Sequence, residues 1–162
     1  MYLRPIMPRD RDPLATLLRR TDTFTADEVD VALELIDDSI NRSQSSGYEC
    51  VVACEPLGDG DDEAVMGYLS YGRTPMTEGT YDLYWVAVDP TYRGKGVGKA
   101  LCRAFEETVR QRDGHLIRVE TSSQEAYGGT VQFYTDAGYI EGGRLPGFYK
   151  PGDDLIILYR TI

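Results

Sequence analysis

The stretch Arg93-Gly94-Lys95-Gly96-Val97-Gly98-Lys99 places three basic side chains around three glycines, in a chain whose formal net charge is −10. Val97 is its one large apolar side chain, so the segment is a poor core element. Glycine lets a backbone turn left-handed and come close to a ligand. A β-type pattern precedes the segment and a helical pattern follows it. The unpaired N–H groups of a first helical turn, aided by the helix dipole, would therefore face whatever sits there. The chemistry this suits is the binding of a phosphate or a similar anion.

Two common phosphate loops are excluded by spacing. A P-loop requires G-x-x-x-x-G-K-[ST]. Here Gly98-Lys99 is followed by Ala100, and Arg93 stands where the first glycine belongs. A dinucleotide fingerprint requires GxGxxG. Gly94 and Gly96 supply two glycines, but Lys99 occupies the third place. The pattern that remains is [R/Q]-x-x-G-x-[G/A], matched by Arg93, Gly96 and Gly98. Upstream, Asp82 lies inside the aromatic, β-branched run "TYDLYWVAV". A carboxylate there is costly unless it is paired or functional.

The elements that must hold these residues follow from periodicity. "MYLRPI" reads as a short strand. Asp12-Pro13 reads as an N-cap with proline at the first helical position, and Leu14, Leu17 and Leu18 give that helix an apolar face. Thr25 and Glu28 have capping-box spacing, and Val29, Ala32, Leu33, Ile36 and Ile40 continue at helical period to Gly47. "YECVVACE" and "AVMGYLSYG" read as a hairpin, and "TYDLYWVAV" as a strong strand. Val97, Leu101, Ala104, Phe105, Thr108 and Val109 mark a helix with one buried face. "HLIRVETS" is a strand, residues 129–137 form a short helix ended by Gly138, and "YIEGGRL" and "DLIILYRT" close the chain as strands. The order β-α-α-β-β-β-α-β-α-β-β predicts a mixed sheet with helices on both faces.

Composition bounds the rest. A length of 162 residues predicts one domain over 1–162. A hydrophobic content of 41% and twelve tyrosines predict a globular chain. No apolar run reaches the roughly 18 residues of a membrane span, and the N-terminus lacks a signal-peptide centre. A cytoplasmic location without a membrane partner is expected. Cys50, Cys54 and Cys102 are expected to be buried reduced thiols. With His115 the one histidine, no metal is expected. "DGDDE" (59–63) lacks the spacing of a calcium loop and reads as a solvated turn. The acidity argues against nucleic-acid binding and suits a cationic amine, although acidity alone also serves solubility.

The loop, together with "QFYTDAGY" about 35 residues on, resembles the GNAT superfamily of acyl-CoA N-acyltransferases. "YWVAVDPTYRGKGVGKAL" is similar to that family's fourth strand, pyrophosphate loop and third helix, and "QFYTDAGY" to its "FYxxxGF" signature. "TEGTYDLYW" and "FYKPGDDL" resemble an uncharacterised microbial subgroup. The resemblance implies a mostly antiparallel mixed sheet of six to seven strands flanked by about four helices. It implies acetyl-CoA as co-substrate, a primary amine of a small molecule or peptide as acceptor, direct attack in a ternary complex, and a monomer or homodimer. Backbone amides of Lys95, Gly96, Gly98 and their neighbours Gly94 and Val97 would take the pyrophosphate, with Arg93 and Lys99 as supporting charge. The strand backbone at Val86, Ala87 and Val88 would pair with pantetheine, and an N–H near Val86, at a splay between the fourth and fifth strands, would receive the oxyanion. Tyr127 stands where many relatives place an asparagine that touches CoA.

Attack requires a neutral amine, and an alkylammonium has a pKa of about 10.4. A base or a water chain must therefore take a proton. Asp82, four residues before Val86, matches the acid that serves in some relatives, and Glu120 is the second candidate; each could equally be a hydrogen-bonded sheet carboxylate. Tyr134 matches the family's general acid for the leaving thiolate. Glu78, Tyr149, Asp153 and Asp154 fall in the regions where the family binds acceptors. Two other readings compete: a non-catalytic acyl-CoA-binding regulatory module, which needs neither Tyr134 nor Asp82, and a nucleotide-binding regulator, which the failed spacings disfavour.

Overall fold

The computed structural model describes residues 1–58 and 62–162. The expected solvated turn falls partly on residues 59–61, outside the described residues. Its last member, Glu63, is instead the first residue of a strand. Its carboxylate accepts from Arg4 at 2.6 Å and pairs with Arg9 at 3.2 Å.

The elements are β1 (Tyr2–Pro5), α1 (Arg11–Arg20), α2 (Ala26–Ser46), β2 (Tyr48–Pro56), β3 (Glu63–Arg73), β4 (Thr80–Val88), α3 (Val97–Gln111), β5 (Leu116–Ser122), α4 (Gly128–Asp136), β6 (Ile140–Lys150) and β7 (Asp153–Thr161). The strands form one seven-stranded sheet in the order β1-β2-β3-β4-β5-β7-β6. Every neighbouring pair is antiparallel except β4 and β5. This is the mixed α/β sheet that the element order implied, mostly antiparallel as the resemblance implied.

Helices cover both faces. On one, α3 and α4 pack over β2–β5 and β7 through Leu101, Phe105, Val109, Tyr134, Leu83, Val119, Ile156 and Leu158. On the other, α1 and α2 pack over β2–β4 through Leu14, Leu18, Ala32, Ile36, Val52, Tyr68 and Ala87. No residue of β5, β6 or β7 belongs to that second cluster. All three cysteines are free and buried. Burial pushes the Cys54 thiol up to about 11 and Cys102 to about 12, the latter aided by the Glu106 charge.

Local signals explain most boundaries. The Thr25 hydroxyl accepts from Glu28 N–H and the Glu28 carboxylate accepts from Thr25 N–H, a complete capping box. Gly47 closes α2 at φ +75°. The start of α1 differs from expectation. Asp10 precedes the helix, and Pro13 is its third residue, where its missing N–H costs nothing. Asp10 is held there by Arg4 (2.6 and 2.8 Å) and by Met7 N–H (2.7 Å), so the chain turns earlier than the Asp12-Pro13 pair suggested. Strand β6 also runs five residues past the expected "YIEGGRL", because Pro151-Gly152, with Gly152 at φ +83°, turns the chain tightly enough for Lys150 to pair with Asp153.

Candidate active site

Strand β4 carries one residue more than its partner requires. Ser70 pairs with Trp85 and Tyr71 with Leu83, leaving Tyr84 as a bulge. The bulge lets Tyr81 and Leu83 before it, and Val86 and Val88 after it, all face α3 and α4, while Trp85 and Ala87 face α1 and α2. The parallel pairing of β4 with β5 ends at the same point, with Leu83 opposite Val119. Beyond it the two strands part. The backbone from Tyr84 to Val88 borders a gap instead of a neighbouring strand.

The glycine loop stands at the end of this gap. Asp89 stops β4 and accepts from Thr91 N–H (2.9 Å), the Thr91 hydroxyl (2.5 Å) and Arg20 (3.0 Å), which ties the loop to the end of α1. Burial alone would raise the Asp89 carboxyl, but these hydrogen bonds and the Arg20 and Arg93 charges hold it below its ordinary value. The Tyr92 hydroxyl donates to Glu55 at 2.5 Å, and Lys95 Nζ lies 4.9 Å from the Tyr92 ring centre. Gly94 and Gly96 take φ +76° and +82°, with open space where a β-carbon would stand. The first helical bond of α3 runs from Ala100 N–H to Gly96. Among the described hydrogen bonds, the amides of Gly94, Gly96, Val97, Gly98 and Lys99 have no acceptor within the chain. Those donors at a helix N-terminus fit a pyrophosphate.

Gly98 joins the two motifs. A β-carbon there would lie 3.3 Å from Phe133 of α4 and 3.7 Å from Val88 of β4. The "FYxxxGY" signature is a helix end. Ala137 caps α4, Gly138 turns left-handed at φ +89°, Gly138 N–H donates to Thr135 carbonyl and Tyr139 N–H to Tyr134 carbonyl, both at 2.9 Å. This is a Schellman closure, with the expected apolar contact between its third-last and second-following residues, the Tyr134 and Tyr139 rings at 5.3 Å. Arg160 of β7 donates to the Ala137 carbonyl and, at 2.8 Å, to buried Glu106 of α3. Tyr134 is therefore held from three sides and is 2% exposed. Burial pushes its phenol well above its ordinary value, which keeps the proton on.

The two candidate bases meet through a residue that the motif reading missed. Asp82 is buried. One oxygen accepts from Arg118 Nε at 2.6 Å and the other from the Thr74 hydroxyl at 2.8 Å. Arg118 also lies 3.4 Å from Glu120, whose side chain is 44% exposed. Arg118 and Glu120 alternate along β5 and share a face, and Asp82 is the register partner of Arg118. The signal was available in "LIRVETS", where Arg118 and Glu120 fall on one side of the strand and Ile117, Val119 and Thr121 on the other.

Other expected residues have different surroundings. The Tyr127 hydroxyl donates to Glu28 Oε1 at 2.6 Å, so it is committed to the start of α2. Asp153 accepts from Ser122 (2.5 Å) and Gln124 (2.9 Å), and Asp154 from Gly147 N–H (2.9 Å), which makes both parts of the β6–β7 framework. Glu78 is exposed in the β3–β4 turn, at the paired end of β4 and away from the gap. Tyr149 is within electrostatic reach of Glu120. Burial and the charges of Glu120, Asp153 and Glu28 all push its phenol up. An acidic and aromatic rim of Glu28, Tyr127, Glu120 and Tyr149 results, with Asp153 buried.

Comparison with known proteins agrees with this geometry. Residues 15–139 match the model of the Acetyltransferase (GNAT) family. A solved structure of a protein assigned to the GNAT acetyltransferases of Desulfovibrio desulfuricans superposes with TM-score 0.90 and 38% identity, covering 99% of this chain and 98% of that one. An aminoglycoside 6′-N-acetyltransferase complexed with coenzyme A shares the fold, with TM-score 0.73 at 19% identity over 99% and 97% of the two chains. In sequence the chain is 27% identical over 153 residues to the N-alpha-acetyltransferase RimI of Mycobacterium tuberculosis, covering 89% of each. It is also 27% identical over 126 residues to an uncharacterized Mycobacterium leprae protein, of whose length it spans about a third (32%). With a family match across most of its length, laid over the same loop, splayed strand and helix end, the chain belongs to the GNAT family of acetyltransferases.

Proposed function

We propose that this chain is a single catalytic domain that transfers an acetyl group from acetyl-CoA to the primary amine of a cationic small molecule or peptide. The observation that carries this reading is the meeting at Gly98 of the unpaired loop amides, the free backbone of β4 and the helix bearing Tyr134. An anion site, a strand-like groove and a protonated phenol are then contiguous, as a phosphate-bearing thioester requires.

The pyrophosphate lies against the amides of Gly94, Gly96, Val97, Gly98 and Lys99, with Arg93 and Lys99 adding charge; the Lys95 amide is taken by the Tyr92 carbonyl at 3.3 Å. The pantetheine arm runs beside Val86, Ala87 and Val88 as an added strand. Tyr127, bound to Glu28, shapes the acceptor side in this reading and leaves the CoA side to the loop. The amine nitrogen attacks the thioester carbonyl. The C–N bond forms, the C–S bond breaks, and the thiolate receives the Tyr134 hydrogen bond and proton. An N–H near Val86 faces the carbonyl oxygen.

The displaced amine proton goes to a carboxylate. Both Asp82 oxygens already accept hydrogen bonds, whereas Glu120 is half exposed at the open end of the gap. Glu120 is therefore the proton acceptor, and the Asp82–Arg118 pair fixes its surroundings. The rim of Glu28 and Glu120 favours a cationic acceptor. The test is thiol release from acetyl-CoA across amines, amino acids, peptides and polyamines. Amine-dependent release with an N-acetylated product supports the reading. CoA binding without turnover on any amine class would favour the regulatory-module alternative.

A further inference from the structure

Four arginines of the chain, Arg4, Arg11, Arg112 and Arg144, each give two nitrogens to the two oxygens of one carboxylate. Arg118 does not. It gives Asp82 only its Nε, at 2.6 Å. The second Asp82 oxygen is turned to the Thr74 hydroxyl at 2.8 Å, so Asp82 leaves the Arg118 fork open. Of a guanidinium's five N–H donors, the four on the two terminal nitrogens of Arg118 find no acceptor among the described hydrogen bonds. Nη1 lies 3.4 Å from Glu120, an ion pair longer than an ordinary hydrogen bond.

This side chain is held yet reachable. Arg118 alternates with Ile117 and Val119, which pack under α3 and α4, so it stands on the opposite face of β5. The cluster under α1 and α2 stops at β4 and takes in no residue of β5. The Arg118 side chain is accordingly 42% exposed, whereas Asp82 is buried. The buried carboxylate at Nε fixes the guanidinium from behind. A planar fork with outward donors is the group that suits a second carboxylate, through two parallel hydrogen bonds.

We infer that Arg118 binds a carboxylate of the acceptor, and that the acceptor is a free α-amino acid. The inference rests on the proposed reaction, with Glu120 as the proton acceptor. Glu120 and Arg118 present a carboxylate and a guanidinium side by side, 3.4 Å apart. An α-amino acid carries the complementary pair, an amino group and a carboxylate on one carbon. Its ammonium is the cation that Glu120 draws in, and its carboxylate completes the Arg118 fork. A polyamine brings Arg118 only like charge. A peptide N-terminus brings a neutral carbonyl oxygen to that place, with no charge to match the guanidinium. Asp82 and Thr74 are positioning residues in this site, because together they keep the fork open toward the acceptor.

Calorimetric titration in the presence of CoA, with the common α-amino acids and with their carboxamides, tests recognition without turnover. At least one amino acid should bind about 10- to 100-fold more tightly than its carboxamide, the range expected of a charge-assisted contact. Arg118→Lys keeps a charge for Asp82 but replaces the fork by a point. It should narrow that preference by about tenfold and leave CoA affinity unchanged. A merely structural role would weaken acid and carboxamide alike. Thr74→Val covers the case in which Arg118→Lys misfolds. It keeps both charges, lets Asp82 turn its second oxygen to Arg118, and should also narrow the preference. Carboxamides that bind as well as the acids, or no measurable binding of any amino acid, overturn the inference. So does a preference that persists undiminished in the variants that fold. Acid-selective binding without acetyl transfer to any amine would instead sink the proposed reaction and leave the carboxylate site in place.

Discussion

Tyr139 donates its backbone N–H to the Tyr134 carbonyl at 2.9 Å while its ring packs 5.3 Å from the Tyr134 ring. The second half of the family signature therefore positions the first. Substituting Tyr134 by Phe keeps the ring and both contacts and removes only the hydroxyl. Stability and CoA affinity should change little. General acid catalysis is worth about 100- to 10,000-fold, so single-turnover acetyl transfer should fall by that order. A folded Tyr134→Phe protein with the wild-type single-turnover rate would assign the hydroxyl no catalytic part.

Gly96 tests the anion site. Its φ of +82° disfavours any side chain, but no atom lies within 4 Å of the added β-carbon. Gly96→Glu should therefore cost about 1–2 kcal/mol of stability while placing a carboxylate among the loop amides. Calorimetry should detect no CoA binding to the folded variant. Retained affinity would remove the loop from the pyrophosphate site.

Asp82 and Glu120 should separate cleanly. Asp82→Asn weakens a bridge to a partly exposed Arg118 and should lower stability by about 1–3 kcal/mol. Glu120→Gln should leave the melting temperature nearly unchanged. If Glu120 takes the proton, its variant loses the acidic limb of the kcat/KM profile and Asp82→Asn keeps it. The reverse pattern would return the role of base to Asp82.

Alkaline stability follows from buried phenols, Tyr68, Tyr134, Tyr139 and Tyr71 among them. Burial raises Tyr68 and Tyr134 well above the ordinary value of 10, and raises Tyr139 as well. Below about pH 10 both the folded and unfolded chains keep these protons. Above it the unfolded chain loses them first, so stability falls as pH rises, by about 1.4 kcal/mol per unit for each group. Melting temperatures measured from pH 9 upward should hold to about pH 10 and then drop steeply. Tyr68→Phe should flatten the slope, and it should cost little at neutral pH because the Tyr68 hydroxyl has no partner among the described residues. A pH-independent melting temperature would contradict this account.

The order of elements was readable because each boundary has a local cause: the Thr25–Glu28 box, the left-handed Gly47, the loop glycines before Val97, and Gly138 after α4. Long-range pairing was not readable. Arg118 looked like an ordinary strand residue until register set it against Asp82. Tyr127 occupied a position suggestive of CoA contact, yet its hydroxyl reaches Glu28, 99 residues earlier in the chain. The start of α1 was misplaced for a similar reason. Arg4 decides which aspartate precedes the helix, and no local pattern encodes that.

Tyr84 is the surplus residue of β4, and its excision has an unusual expected outcome. Removing it leaves Leu83 opposite Tyr71 and Trp85 opposite Ser70, so the inward and outward faces on either side keep their places. The shortened strand would have no reason to bend, and β4 could continue beside β5 past Val119. A deletion, ordinarily the harshest change to a strand, should here be survivable for the fold and disabling for acetyl transfer. The sheet would gain a continuous seam at the expense of its cleft, the trade between regularity and activity that keeps such irregularities in enzymes.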